Sequence, residues 1–171
     1  SPFIDNDDND GNGYIDDIIG WDASGRSGTA DNDPFPKSEV QNASEWAHGT
    51  HVAGILAAVT DNGIGMASSV FNGRILSVKC SLENKNNGED IDSPMLDNGY
   101  DGITYAAKAG YYAGVHTIIN CSWGAVGGGI SGQTVINSAY NNYGAIVIAA
   151  AGNGKDTNGD GEGDETAYEA H

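Results

Sequence analysis

Three short runs of apolar, largely β-branched residues constrain the fold of this chain more than any other feature. They occupy residues 75–80, 117–122 and 145–151. Between them, residues 100–113 and 133–143 carry apolar side chains at the spacing of an amphipathic helix. Strands and helices that alternate in this order form parallel sheets through right-handed crossovers. We therefore predict an α/β fold in three layers, with helices on both sides of a parallel sheet and a fully buried last strand.

A further amphipathic segment begins at His48. Its apolar residues recur at helical intervals, at Val52, Ile55, Leu56 and Val59. Asn62-Gly63 predicts the end of this helix. The polar segments 23–45 and 81–99 are interpreted as loops. Ligands of such sheets bind beyond the carboxyl ends of the strands, so we expect a functional site just after residues 80, 121 and 151.

Composition excludes several classes of protein. The 171 residues suit a single domain, and 24 Asp and Glu against 7 Lys and Arg give a net charge of −17. Such a surface repels phosphate groups, so a nucleic-acid partner is disfavoured. No apolar run approaches the roughly 20 residues that a membrane span requires. Cys80 and Cys121 each end an apolar run, which predicts two buried free thiols rather than a disulfide framework.

Two acidic segments have the spacing of calcium-binding loops. In Asp8-x-Asp10-x-Asn12-Gly13-Tyr14, side-chain oxygens fall at loop positions one, three and five, and Tyr14 offers its carbonyl oxygen. Ile19 stands where such loops carry a glutamate, and Asp16 or Asp17 could replace that ligand. Asp156-x-Asn158-x-Asp160 repeats the pattern near the end of the chain. The alternative in both places is a solvated acidic turn.

Three motifs stand at the predicted helix start and strand ends. They are His48-Gly49-Thr50-His51-Val52-Ala53-Gly54, Ser122-Trp123-Gly124 and Ala149-Ala150-Ala151-Gly152-Asn153. A lone histidine at a helix start is more often structural, although a neutral imidazole suits a general base near pH 7. Taken together, in this order and spacing, the motifs resemble those of the subtilisin-like serine proteases, the subtilases. The resemblance covers residues 48–153 well and the first acidic segment moderately.

The resemblance implies a role for each motif. His48 corresponds to the general base, and Asn153 to the asparagine that stabilises the tetrahedral intermediate. Ser122–Gly124 resembles the segment that pairs with the backbone of a polypeptide substrate, and Ala149–Gly152 one wall of the specificity pocket. Trp123 replaces a more usual aliphatic residue. The family also implies structural calcium and an extracellular location.

The sequence departs from the family at the other two members of the catalytic triad. Neither Asp5 nor Asp22 has the context of the triad aspartate, and no Gly-Thr-Ser-Met-like segment follows Asn153. No signal peptide opens the sequence, so we interpret the chain as mature protein or an excised piece. The resemblance implies the middle of a subtilisin-like catalytic domain, incomplete at both ends, with an acidic insertion at 1–22, a core at 46–153 and an acidic loop at 154–171.

These observations lead to one hypothesis and two alternatives. The main hypothesis is a segment of a secreted, calcium-stabilised serine endopeptidase, inactive without the remainder of the catalytic domain. One alternative is a non-catalytic, calcium-binding domain with a binding or adhesive role. The other is one chain of a split protease that acts only with its partner.

Overall fold

The structure is a computed structural model that describes residues 5–25, 28–36, 46–84, 90–124 and 130–151. Its strands and helices alternate along most of the chain. In order they are β1 (Gly20–Asp22), α1 (His48–Ala57), β2 (Ser77–Lys79), β3 (Ser81–Asn84), β4 (Asp90–Leu96), α2 (Gly99–Tyr112), β5 (Ile118–Cys121), α3 (Ile130–Tyr143) and β6 (Ile146–Ala149).

Two pairs of strands run parallel, in agreement with the predicted α/β class. β1 pairs with β2, so that Asp22 lies beside Lys79, and β5 pairs with β6, so that Cys121 lies beside Ala149. Within the described ranges the two pairs form separate sheets rather than one. Helix α2 contacts β1, β2 and β5, and therefore connects the two sheets.

The core lies between β5 and the helix pair α2–α3, which pack closely against each other. It consists mainly of small side chains, which allow the two helices to approach: Ile103, Ala106, Ala107, Ile119, Cys121, Ala139 and Ala145. On β5, Ile119 and Cys121 face the helices while Ile118 is exposed, because neighbouring strand residues point to opposite faces.

The second face of the β5–β6 sheet is open in the described part of the chain. Ile118, Ile146 and Ile148 are each more than half exposed. The prediction of a fully buried last strand was therefore wrong for these residues. Among the described elements no helix packs extensively on this face, so these residues alone do not form the predicted three layers.

Residues 81–99 were predicted as a loop, and this prediction was wrong. They contain the antiparallel pair β3–β4, with Ser81 beside Leu96 and Leu82 beside Met95. The segment contains many Asn and Asp residues, which are infrequent in strands. Its composition therefore indicated a loop, although its short apolar stretches pair as strands.

Helix α1 is shorter than predicted and lies at the surface. It ends at Ala57, after which the N–H of Ala58 donates to the carbonyl of Gly54. The turn that follows contains Gly63 and Gly65, both with φ near +70°. None of the residues of α1 is buried. No helix in the described ranges is long and apolar enough to cross a membrane.

Candidate functional site

The carboxyl ends of β5 and β6 bring two of the predicted substrate segments together. The N–H of Ala150 donates to the carbonyl of Cys121 at 3.0 Å, which extends the parallel pairing one step beyond the strands. Ser122 follows immediately, and its Oγ accepts a hydrogen bond from Nδ2 of Asn120 at 2.8 Å. Residues 149–151 are exposed. One accessible edge therefore carries both the Ser122–Gly124 and the Ala149–Ala151 segments.

Trp123 fixes this edge against helix α2. Its side chain is partly buried and packs on the core. A Cβ atom added to Gly99 would lie 2.7 Å from Cη2 of the Trp123 ring. The first position of α2 must therefore be glycine if the indole is to take this position. The indole lies immediately behind the edge that carries the two segments.

His48 is the first residue of α1 and is exposed, as is His51 one turn later. Among the described residues, α1 makes no extensive contact with β5 or β6. Within the described ranges, the structure therefore brings the two predicted substrate segments together but does not bring His48 to them. Gly152, Asn153, Asp156, Asn158 and Asp160 lie outside the described residues.

The first acidic segment folds into a tight loop around its own carboxylates. Oδ1 and Oδ2 of Asp8 accept hydrogen bonds from the backbone N–H groups of Gly11, Asn12 and Gly13, at 2.8–3.1 Å. Nδ2 of Asn12 donates to Asp10 at 3.0 Å and to Asp17 at 2.9 Å. Asn12 is buried. Two carboxylates thus converge on a single amide nitrogen.

This convergence has an electrostatic cost. The pKa of Asp10 is raised, first by burial and further by the negative charges of Asp17 and Asp8. Asp16, in contrast, adopts a φ of +55° and directs its carboxylate to the N–H groups of Asp5 and Asn6. The loop therefore gathers Asp8, Asp10 and Asp17, while the Asp16 carboxylate points elsewhere.

Tyr14 attaches the acidic loop to the rest of the domain. Its ring contacts Trp21 and Tyr105 edge to face, with centroids 5.0 and 4.8 Å apart. Tyr105 is fully buried on α2, and its hydroxyl lies 3.5 Å from the Asp17 carbonyl oxygen. Nζ of Lys108 lies 5.5 Å from the Tyr14 ring centroid, within the range of a cation–π contact.

A buried ion cluster at the ends of β1 and β2 was not predicted. Lys79 forms an ion pair with Asp22 and lies 3.1 Å from Oε1 of Glu83. The pKa of Asp22 is raised by burial, although its hydrogen bond with Lys79 acts in the opposite direction. The available signal was Lys79 itself, the charged residue within the apolar run 75–80.

No group of three or more His, Cys, Asp or Glu side chains in the described ranges is arranged to hold a metal ion. The prediction of two free cysteines is confirmed, with Cys121 buried and Cys80 partly buried. Burial raises the pKa of the Cys80 thiol to about 12 and that of Cys121 to about 11. Both thiols therefore stay protonated at neutral pH and are poor nucleophiles.

Comparison with known proteins matches residues 12–171 to the model of the Subtilase family. Thermitase from Thermoactinomyces vulgaris is 38% identical over 140 residues, which cover 82% of this chain and 41% of thermitase. A thermophilic serine proteinase from Bacillus sp. (strain AK1) is 40% identical over 106 residues, or 62% of this chain and 23% of that protein.

An extracellular basic protease from Dichelobacter nodosus is 32% identical over 139 residues, which cover 78% of this chain and 20% of that protein. The chain therefore spans about two fifths of the length of thermitase and less than a quarter of the length of the other two relatives. No solved structure gives a significant match.

Proposed function

Because the chain belongs to the subtilase family, we propose that the complete protein is a secreted, subtilisin-like serine endopeptidase. It hydrolyses polypeptide substrates by acyl transfer to a serine. The observation that best supports this proposal is the pairing of β5 with β6, since it gives the Ser122–Gly124 and Ala149–Ala151 segments a common, accessible edge. The extracellular protease among the relatives supports secretion.

In this proposal His48 is the general base. Its imidazole removes the proton from the serine hydroxyl as the oxygen attacks the scissile carbonyl, and later delivers that proton to the leaving amine. The serine and the aspartate that orients His48 belong to the remainder of the catalytic domain. The 171-residue chain by itself therefore has no peptidase activity.

The two segments at the sheet edge bind the substrate. Ser122–Gly124 offers backbone N–H and C=O groups to an extended peptide, which provides affinity with little sequence preference. Ala149, Ala150, Ala151 and Gly152 have small side chains or none, and they line one wall of the specificity pocket. Asn153 donates from its side-chain amide to the oxygen that becomes negatively charged in the tetrahedral intermediate.

Calcium stabilises the acidic segments in this proposal. The donors of the first loop suit it, because Ca²⁺ prefers carboxylate and carbonyl oxygens. Asp8, Asp10, Asn12 and Asp17 would hold the ion with the Tyr14 carbonyl, and Asp17 would supply the ligand in place of Asp16. When bound, the cation would neutralise the repulsion between these carboxylates. Asp156, Asn158 and Asp160 form the second proposed site.

The three-layer arrangement is part of the same proposal. The open face of the β5–β6 sheet carries Ile118, Ile146 and Ile148, and an exposed apolar face of this kind is typical of a surface that another part of the protein covers. We propose that the remainder of the catalytic domain, together with α1, packs on this face. That packing would bring His48 towards the substrate edge.

The test is the substitution His48→Ala in the complete protein, assayed on a fluorogenic peptide. We expect turnover to fall by orders of magnitude while the melting temperature changes little, since His48 is exposed. His116→Ala, which removes another exposed histidine, is the matched control and should retain activity. Normal turnover of His48→Ala would refute the proposed base. A wild-type protein without peptidase activity would instead favour the non-catalytic alternative.

A further inference from the structure

The charges of this chain are distributed very unevenly. All 24 acidic and all 7 basic residues lie outside residues 109–154. This uncharged stretch contains the end of α2 and the whole of α3, both of which expose part of their surface to solvent. In a protein with a net charge of −17, the last turn of α2 and all of α3 thus carry no formally charged side chain, and Lys108 lies one turn before Tyr111 and Tyr112. Such a surface suits a ligand that is itself uncharged.

Four tyrosines concentrate on this surface, where α2 and α3 end. Tyr111, Tyr112 and Tyr140 are 55%, 50% and 65% exposed, and Tyr143 is partly exposed. The ring of Tyr111 meets the rings of Tyr112 and Tyr143 edge to face, at centroid distances of 5.5 and 5.6 Å. Tyr140 and Tyr143 are neighbours on α3, three residues apart. We call these four residues the tyrosine surface.

Side-chain amides continue the tyrosine surface along α3. Nε2 of Gln133 donates to Oδ1 of Asn137 at 3.0 Å, and Nδ2 of Asn142 donates to Oγ of Ser138 at 3.0 Å. Gln133, Asn137 and Asn142 are exposed. Gln133, Asn137 and Tyr140 follow one another at helical spacing and therefore lie on one stripe of the helix. The Gln133–Asn137 contact therefore holds two amides on the stripe that carries Tyr140, whereas Asn142, two residues after Tyr140, lies on the opposite side of α3.

The combination of aromatic rings and neutral amides matches the chemistry of a sugar polymer. The C–H groups on one face of a pyranose ring pack against an aromatic ring, and its hydroxyls exchange hydrogen bonds with amides and phenols. None of these interactions needs a charge. A polyanionic glycan would be repelled by the net charge of the chain, and a charged polypeptide would find no counter-charge within residues 109–154. We propose that the tyrosine surface binds a neutral polysaccharide.

Affinity electrophoresis of the complete protein tests this proposal, with native gels that contain hydroxyethyl cellulose, xylan, mannan or laminarin. The His48→Ala background prevents digestion during the run and should bind as the wild type does, because His48 lies outside the tyrosine surface. We expect at least one of these polymers to retard the protein. Tyr112→Ala and Tyr140→Ala should each weaken the affinity about threefold to tenfold, while the corresponding Tyr→Phe variants retain most of it.

Phe71→Ala is the matched control, since Phe71 is an exposed aromatic residue outside the tyrosine surface. It should bind as the wild type does, and melting curves should show that all variants are folded. The proposal is overturned if none of the neutral polymers retards the protein, if Phe71→Ala loses as much affinity as Tyr112→Ala, or if polygalacturonate alone is bound. Self-association that the tyrosine variants abolish, without polysaccharide binding, would identify the surface as a protein interface instead. Peptidase activity does not enter this assay, so its result is independent of the proposed enzymatic function.

Discussion

Lys79 and Asp22 form an ion pair that joins the carboxyl ends of β1 and β2. Their side chains are only 6% and 3% exposed, and Glu83 approaches the same ammonium group. The other oxygen of Asp22, Oδ1, accepts hydrogen bonds from the N–H groups of Ser24 and Gly25, at 3.0 and 2.8 Å. One carboxylate therefore connects the second strand to the turn that leaves the first.

Replacing Lys79 by Met should destabilise the protein strongly. The substitution leaves Asp22 and Glu83 without this shared cation in a buried site, and loss of one partner of a buried pair costs about 3–5 kcal/mol. Burial already raises the pKa of Asp22, so the folded state favours the protonated acid, and stability falls as pH rises through that pKa. The loss in melting temperature should thus be larger at pH 8 than at pH 4.

The double variant Asp22→Asn/Lys79→Met provides the control for this prediction. It removes one of the two carboxylates that lose the Lys79 ammonium and should regain part of the lost stability at pH 8. A single variant that melts as the wild type does at both pH values would show that the ion pair has no structural importance.

Gly99→Ala should displace Trp123 and thereby disturb the sheet edge that carries Ser122–Gly124 and Ala149–Ala151. The new Cβ would lie 2.7 Å from the indole, a distance that forces the ring or the helix start to move. Overpacking of this kind costs about 1–3 kcal/mol. In the complete protein we expect a lower melting temperature and, on the proposed peptidase function, a higher KM for peptides with a smaller change in kcat. Peptide hydrolysis and thermal melts measure both effects.

A second substitution makes the prediction on Gly99 specific. Trp123→Leu shortens the side chain that the new methyl group meets, so Gly99→Ala should cost less in the Trp123→Leu background than in the wild type. Strictly additive costs would mean that the two residues do not interact as the structure describes.

Calcium should raise the melting temperature of the complete protein, and a chelator should lower it. A ligand at a hundredfold excess over its Kd stabilises the fold by about 2.7 kcal/mol. The decisive comparison is between Asp17→Asn and Asp16→Asn. Asp17 converges with Asp10 on Asn12, whereas Asp16 binds backbone N–H groups. Asp17→Asn should raise the calcium concentration that produces half of the increase in melting temperature, by about tenfold or more.

Asp16→Asn should lower the melting temperature equally with and without calcium, because its carboxylate supports the loop rather than the ion. If Asp16→Asn shifts the calcium dependence and Asp17→Asn does not, our assignment of the ligand is wrong. An unchanged melting curve in chelator would argue against structural calcium altogether.

The sequence predicted those parts of the fold where periodicity was strong. Both helices around the core, and the strands at 118–121 and 146–149, formed within a few residues of the expected positions, because a spacing of 3.6 or a dense β-branched run survives most tertiary contexts. The β3–β4 pair was missed because its stability comes from cross-strand contacts such as Leu82 with Met95, which local composition does not encode.

The candidate site divides in a similar way. Motifs located Ser122–Gly124 and Ala149–Ala151, and the parallel register brought them to one edge. The direction of the Asp16 carboxylate, towards the N–H groups of Asp5 and Asn6, could not be predicted from spacing, since it depends on the backbone of Asp16, with its φ of +55°. The partnership of Lys79 with Asp22 joins residues 57 positions apart, and no local pattern indicates such a contact.

The two thiols should make the fold sensitive to alkali. The pKa values of Cys80 and Cys121, about 12 and about 11, exceed their ordinary value of 9.0, so the folded chain holds these protons more tightly than the unfolded chain does. Their contribution to stability is complete below pH 9 and is lost as the pH rises towards 11 and 12, because the unfolded thiols ionise first. The double variant Cys80→Ala/Cys121→Ala should therefore lose less stability between pH 8 and pH 10.5 than the wild type. Denaturant titrations at these two pH values measure the change in the free energy of unfolding for each protein. Because the change is taken within one protein, the constant cost of removing two packed sulfur atoms cancels. Equal losses in both proteins would show that the folded state does not protect the thiol protons.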